Sequence, residues 1–420
     1  MSDSAPARTD RLLQHSLVLM VAAQVANISN VLFHMVMGRH LSANDYGILS
    51  AMLNLLLICM TPLDALRGAL AHFSARAHAA GEPAVIRALV RYWVARVLMV
   101  AVPISVAMLV LHEECAAFFH LESVLPIVVV AMVLPGLLSS PGMTGCLQGV
   151  QAFYWVALSV YGWSPLRLVL GLAFVTGGWL TAMSGLTAHA ISIGFAIVLT
   201  ASGVWAVTRG ATTRAAAPRG VSHYFLSSLL LLGSFGVLMN CDVMLVRHYH
   251  PDLAGHFSWA ATIGRSVIFL PMPIAMAMFP KVISTGGSSQ ASRSTLLKAL
   301  GLVGGMIGTA VAATWILPWL PLRILYKVAD PTPEMTHLVR VVALAMSPLG
   351  LTYLLLNFEM AQHRFQTIPW LLAAAAAYLG GVWLWHDTVD QIILVLGSVS
   401  LFSAIVFVVA FLRAQRSAPA

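Results

Sequence analysis

The chain is 420 residues long, 59% hydrophobic and only 9% charged. Soluble domains carry about 25% charged residues, so this much apolar surface excludes a water-soluble globule and points to a polytopic membrane protein. The formal net charge is +8, but the cations fall between apolar runs rather than on one basic face, which argues against a nucleic-acid partner.

The N-terminal MSDSAPARTDR is polar. The apolar run that follows, Leu12 to Met37, is too long for a signal-peptide core and reads as a retained first span. A span needs roughly 20 apolar residues. On that basis the pattern predicts about twelve transmembrane helices, at 12–37, 46–74, 84–111, 123–147, 152–178, 182–207, 222–248, 254–280, 295–320, 335–359, 366–385 and 390–412. No connection between them is long enough for a soluble domain. The longest polar ones are 209–221 and 281–294. Prolines and glycines at 135–145 and 271–273 predict kinked helices, which suits both motion and packing.

Orientation follows from the loop cations. One side collects Arg8, Arg11, Arg76, Arg87, Arg209, Arg214, Arg219, Lys281, Arg293, Arg364, Arg413 and Arg416, and the other only Arg39, Arg247, Arg323 and Lys327. Both termini are therefore expected in the cytoplasm.

Residues 32–51, LFHMVMGRHLSANDYGILSA, are echoed 208 positions later. Arg39 aligns with Arg247, His40 with His248, Gly47 with Gly255 and Ser50 with Ser258. The echo predicts an all-α fold of two six-helix lobes, residues 1–208 and 222–420, joined by a basic cytoplasmic linker at 209–221. Six is even, so the lobes would be parallel repeats about a pseudo-two-fold along the membrane normal, an arrangement that suits a transporter rocking about a central cleft.

Charges inside spans cost roughly 2.5–3.5 kcal/mol each on insertion scales. This chain keeps Asp64, Arg67, Arg96, Arg167, Asp242, Arg265 and Arg340 within apolar runs. Asp64 and Arg67 are three apart and share a helix face. Arg67 lies nine residues from Arg76, about 13 Å along a helix, and Arg265 lies sixteen from Lys281, about 24 Å. Asp242 and Arg265 sit on consecutive spans at similar depth, so they could meet. Two readings fit these groups. Arg67, Arg96, Arg167 and Arg265 could bind an anionic substrate, above all a diphosphate, because guanidinium forks grip phosphate oxygens. Asp64 and Asp242 would then serve ion coupling or hold the arginines. Alternatively, the pairs are structural. Arg87 and Arg91 read as snorkelling at the membrane face, and Arg39 and Arg247 as helix caps.

The histidines 248, 250 and 256 have no carboxylate at ligand spacing, so no metal is expected. The cysteines, Cys59, Cys115, Cys146 and Cys241, show no C-x-x-C spacing. No nucleotide-binding loop or catalytic motif occurs, and neither enzyme activity nor a cofactor is expected.

Several segments together resemble bacterial polysaccharide-biosynthesis membrane proteins, the lipid-linked oligosaccharide flippases. GRHLSANDYG (38–47) resembles their GR-x-L-x-x-x-x-YG signature, and CLQGVQAF (146–153) their L-Q-G-x-x-x-F segment. N-x-D-V from Asn240 through DLAGHFSWA resembles their N-x-D … AG-x-(Y/F) run, with Phe257 where tyrosine is common, and FLPMPIAMAMFPK (269–281) a stretch ending in F-P. The resemblance covers residues 12–285 and places the chain in the superfamily of multidrug and oligosaccharidyl-lipid exporters. It implies translocation of an undecaprenyl-diphosphate-linked sugar across a bacterial inner membrane, with Asp242 as the family-like acidic position. Membrane lipids and polysaccharide polymerase or export proteins would be partners. One rival is an ion-coupled multidrug extruder of the same fold, which would want cavity acids where this chain has arginines. Another is a non-transporting membrane subunit of a polysaccharide synthase.

Overall fold

Apolar helix formers fill the spans, and a helix satisfies its own backbone hydrogen bonds without water, so membrane-embedded segments of this composition fold as helices. The computed structural model describes residues 5–211, 221–269, 290–362 and 365–416, and among these there is no strand. The helices are α1 (Ala5–His40), α2 (Ala43–Met60), α3 (Asp64–Ala79), α4 (Pro83–Val110), α5 (His112–Phe118), α6 (Leu125–Gly149), α7 (Phe153–Val156), α8 (Trp163–Thr176) and α9 (Ala182–Thr208). They continue with α10 (Val221–Tyr249), α11 (Ala254–Phe269), α12 (Gln290–Ile316), α13 (Trp319–Tyr326), α14 (Pro333–Ala361), α15 (Ile368–Leu384) and α16 (Val389–Arg416).

Among the described residues, ten helical segments are long and apolar enough to cross a membrane. The expected span 366–385 corresponds to α15, apolar but only 17 residues long. The expected span 254–280 is described only as far as Phe269. The prolines expected to kink it at 271–273 lie outside the described residues, as do most of the motif at 269–281 and of the linker at 209–221. The protein is thus an all-helical, multi-pass membrane protein.

Two expected spans are not single α-helices. The second is broken by a turn of 3-10 helix, Thr61–Leu63, between α2 and α3. Pro62 lacks the N–H an unbroken helix would use there. The fifth opens with α7 and passes through a π-helical stretch, Ala157–Tyr161, before α8.

The chain forms two compact units. The first comprises residues 1–41 and 63–225, the second 42–62 and 226–420. The break at Thr61–Leu63 therefore marks a change of unit within one span. In the first unit α6 is the central helix, packed by α3, α4 and α9. A Cβ on Gly145 would stand 2.3 Å from the Arg67 carbonyl oxygen, and one on Gly149 2.3 Å from that of Ala71. These glycines, four apart on one face, let the backbones of α6 and α3 touch. Leu66, Leu70, Leu89, Trp93 and Leu147 pack beside them as core.

In the second unit α14 is central, packed by α11, α12 and α16. The N-terminus of α2 is fixed by Ser42, whose hydroxyl accepts from the Asp45 backbone N–H (3.0 Å) and donates to the Asp45 carboxylate (2.7 Å). α2 then lies on α11. A Cβ on Gly255 would fall 2.0 Å from the Ala43 carbonyl oxygen, and one on Gly47 3.0 Å from the Gly255 nitrogen. Gly47 and Gly255 are the aligned glycines of the sequence echo, and they meet face to face.

Candidate functional site

The charged groups inside the spans fall into three kinds of surroundings. The first is half open. Asp64 begins α3 just after the 3-10 turn, and its Oδ1 lies 2.6 Å from Arg67 Nη2. The Asp64 side chain is 50% exposed and that of Arg67 26%. Arg67 Nε is buried with no hydrogen-bond partner among the described residues. The helix shape explains the position: with Gly145 pressed against the Arg67 backbone, the side chain of Arg67 leaves on the face that also carries Asp64.

The second kind is closed. Arg265 on α11 pairs through Nη2 with Asp242 Oδ1 on α10, and its Nε donates to the Met239 carbonyl at 3.1 Å. Asp242 is fully buried and Arg265 is 6% exposed. Tyr378 of α15 lies within electrostatic reach of both, and its buried hydroxyl has no partner among the described residues.

The third is a cage of aromatic and amide groups around Arg167 on α8. Nη2 donates to Asn30 Oδ1 (2.7 Å) on α1, and Nη1 to His189 Nδ1 (3.2 Å) on α9. The guanidinium carbon lies 4.0 Å from the centre of the Phe33 ring and 5.0 Å from that of Trp163. Arg96 differs from all of these. It is exposed on α4, with its guanidinium 4.4 Å over the ring of Tyr92, one turn nearer the start of the helix.

The structure therefore brings Asp64 to Arg67 and Asp242 to Arg265, and gives Arg167 and Arg96 surroundings of their own. Other cations complete helix ends. Arg87 donates to the Ala211 carbonyl (3.0 Å) and to that of Thr208, closing the C-terminus of α9. Arg340 Nε does the same at Trp315 of α12 (3.0 Å). Arg247, 2% exposed, ties the end of α10 to Asn44 Oδ1 of α2 (2.5 Å) and to the Pro251 carbonyl (3.3 Å). Of the histidines 248, 250 and 256, His250 Nε2 bonds the His386 carbonyl (2.7 Å), and His256 packs on Trp259.

The sequence reading did not single out Asn30, Phe33, Trp163, His189 or Tyr378. Trp163 precedes Arg167 by four residues, which puts both on one face of α8, and Asn30 and His189 are polar residues in apolar runs. Those signals mark a polar cluster without saying which residues converge.

No known sequence family and no curated protein matches the chain. Solved structures do. The inward-facing conformation of a multidrug resistance MATE family transporter of the MOP superfamily matches with a TM-score of 0.73 at 13% identity, over 93% of this chain and 95% of that one. An outward-facing conformation of such a transporter matches at 0.62, with 12% identity over 96% and 95%. A MOP superfamily transporter from Pyrococcus furiosus, for which a reverse polarity of the binding pocket is described as suggesting a different function, matches at 0.66, with 12% identity over 96% and 95%. The chain has this transporter fold along nearly its whole length. The specific resemblance to polysaccharide flippases has no counterpart among these structures.

Proposed function

We propose that the protein is an alternating-access transporter that moves an anionic, lipid-linked saccharide diphosphate across a bacterial inner membrane. One observation carries the reading: the Asp64–Arg67 pair is partly exposed within a membrane span, next to a helix break. A part-exposed pair of this kind contributes about 0.3–0.5 kcal/mol of stability. Placing its charges in hydrocarbon would cost roughly 2.5–3.5 kcal/mol each. Stability alone therefore does not account for it, and a wet path through the membrane does. Arg67 and the exposed Arg96 are the groups proposed to meet phosphate, with Asp64 holding Arg67 between substrates. Asp242–Arg265 and Arg167 hold helices together. The two conformations known for the matching transporters support alternating access, and the excess of intramembrane arginine over acid supports an anionic cargo. Polysaccharide polymerase or export proteins would receive the product.

The test is Arg67→Glu in the full chain, with Arg67→Gln beside it, reconstituted in vesicles carrying an undecaprenyl-diphosphate-linked saccharide. Arg67→Glu is expected to abolish translocation and surface polysaccharide while the protein stays folded. Unchanged translocation by Arg67→Glu would sink the reading. The second reading, a multidrug extruder, rests on the multidrug transporters among the matching structures. It predicts altered susceptibility to cationic drugs in cells lacking the protein, with surface polysaccharide intact.

A further inference from the structure

Helix α3 carries three large apolar side chains, and all three turn inward. Leu66 and Leu70 are buried, and Phe73 packs half-buried against the same core. Every other exposed or half-exposed position from Asp64 to Ala79 is glycine, alanine, histidine, arginine or aspartate. Gly68, His72, Ala75 and Arg76 are all exposed, and among the described residues nothing lies within 4 Å of a Cβ built on Gly68. A helix face turned to lipid has a different composition, because hydrocarbon favours bulky apolar side chains and rejects charge. The next helix shows it: on α4, Met99 is 66% exposed, Val100 61% and Val110 70%. The free face of α3 has no such side chain, so water accounts for its composition and lipid does not.

The cations are spread over that face. At about 100° and 1.5 Å per residue, Arg67 and Arg76 stand at its two margins, about 13 Å apart along the axis, with His72 between them. Asp64 is the one acid of the helix and it pairs with Arg67, so Arg76 leaves the face with an excess of positive charge. We infer that the free face of α3 walls a water-filled track for anions, in which Arg76, His72 and Arg67 are successive contacts for the anionic head group of the cargo and Gly68 and Ala75 leave it room. The inference rests on the function proposed above only for the identity of the anion. It lies on one helix of the first unit and adds Gly68, His72 and Arg76 to the residues that meet the cargo.

Single cysteines read both wetness and charge. A thiol reacts as its thiolate, which forms in water and is suppressed in apolar surroundings. Full-length Gly68→Cys and Ala75→Cys are treated with an anionic and with a cationic methanethiosulfonate, in membranes opened so that reagent reaches both sides. Every chain also carries Cys115→Ser, which removes the native cysteine that lies outside the spans. That background and Met99→Cys, exposed on α4, are the controls. Gly68→Cys and Ala75→Cys are expected to react about tenfold faster than either control. The anionic reagent should outpace the cationic one at both positions, and Arg76→Gln should cut that preference severalfold at Ala75→Cys. Labelling no faster than that of Met99→Cys would overturn the inference, and so would a cationic reagent as fast as the anionic one.

The labelling needs no cargo, which keeps the two conclusions separable. Fast, anion-selective labelling beside unimpaired translocation by Arg67→Glu would sink the proposed cargo and leave the track standing. Slow labelling beside translocation lost in Arg67→Glu would do the reverse.

Discussion

Asp242 and Arg265 lie inside the protein, whereas Asp64 and Arg67 are both partly exposed, and that difference in surroundings sets their energies apart. Removing one partner of a buried pair leaves an uncompensated charge and costs about 3–5 kcal/mol, whereas removing one partner of an exposed pair costs under about 1 kcal/mol. Asp242→Ala should therefore lower the melting temperature sharply and Asp64→Ala hardly at all, as read by thermal size exclusion of each variant. Replacing both buried partners with apolar residues, Asp242→Leu with Arg265→Met, should recover most of the loss, because no lone charge remains. The sequence shows that each pair is within reach, since three-residue spacing and equal depth on a hairpin are geometric. It could not show which pair was dry. Dryness depends on neighbours such as Tyr378, more than a hundred positions away in the chain. The same holds for Arg167, whose partners Asn30 and Phe33 lie on a helix far upstream. Outside the spans, burial beside Tyr46 pushes the Tyr326 phenol well above its ordinary value. The folded state then keeps a proton that the unfolded state gives up near pH 10, so stability is unaffected below that pH and falls above it. In Tyr326→Phe this alkaline fall should be shallower in a melting series from pH 8 to about pH 11.

Two kinds of glycine occur within the helices. Those at 145, 149 and 255 sit where a neighbouring backbone leaves no room for a methyl group, while nothing lies within 4 Å of a Cβ built on Gly194. Gly145→Ala must push α6 off α3 and should destabilise the protein by 1 kcal/mol or more, on the order of overpacking costs elsewhere. Gly194→Ala, in the interior of α9, should instead stabilise by about 0.5–1 kcal/mol, because only the conformational cost of glycine is removed. Opposite shifts in melting temperature check the pair of predictions. Apolar run length made most elements legible in the sequence. The 3-10 break was not, although Pro62 marks it, because a proline in an apolar run is compatible with either a kinked helix or a divided one. The π-helical stretch at Ala157–Tyr161 left no sequence mark at all. Its extra residue is accommodated by packing against α1 and α9, which is a property of the assembled helices.

At the scale of the molecule, the echo of residues 32–51 at 240–259 is the basis for expecting two repeats, and the chain has the fold of the matching transporter structures. What the echo does not convey is that Ser42–Pro62 belongs with residues 226–420, although its chain neighbours on both sides belong to the first unit. α2 fills the second unit along its whole length. Gly47 meets Gly255 at one end, and Thr61 and Pro62 lie against Gly236 and Gly233 of α10 at the other. A gene divided at the basic linker would leave α2 with the first product, and its second product would carry an empty furrow where a borrowed strut should lie. Such a fragment should be degraded when made alone and survive when the first is made beside it, so the boundary expected from the sequence echo is not a place where the protein can be taken apart.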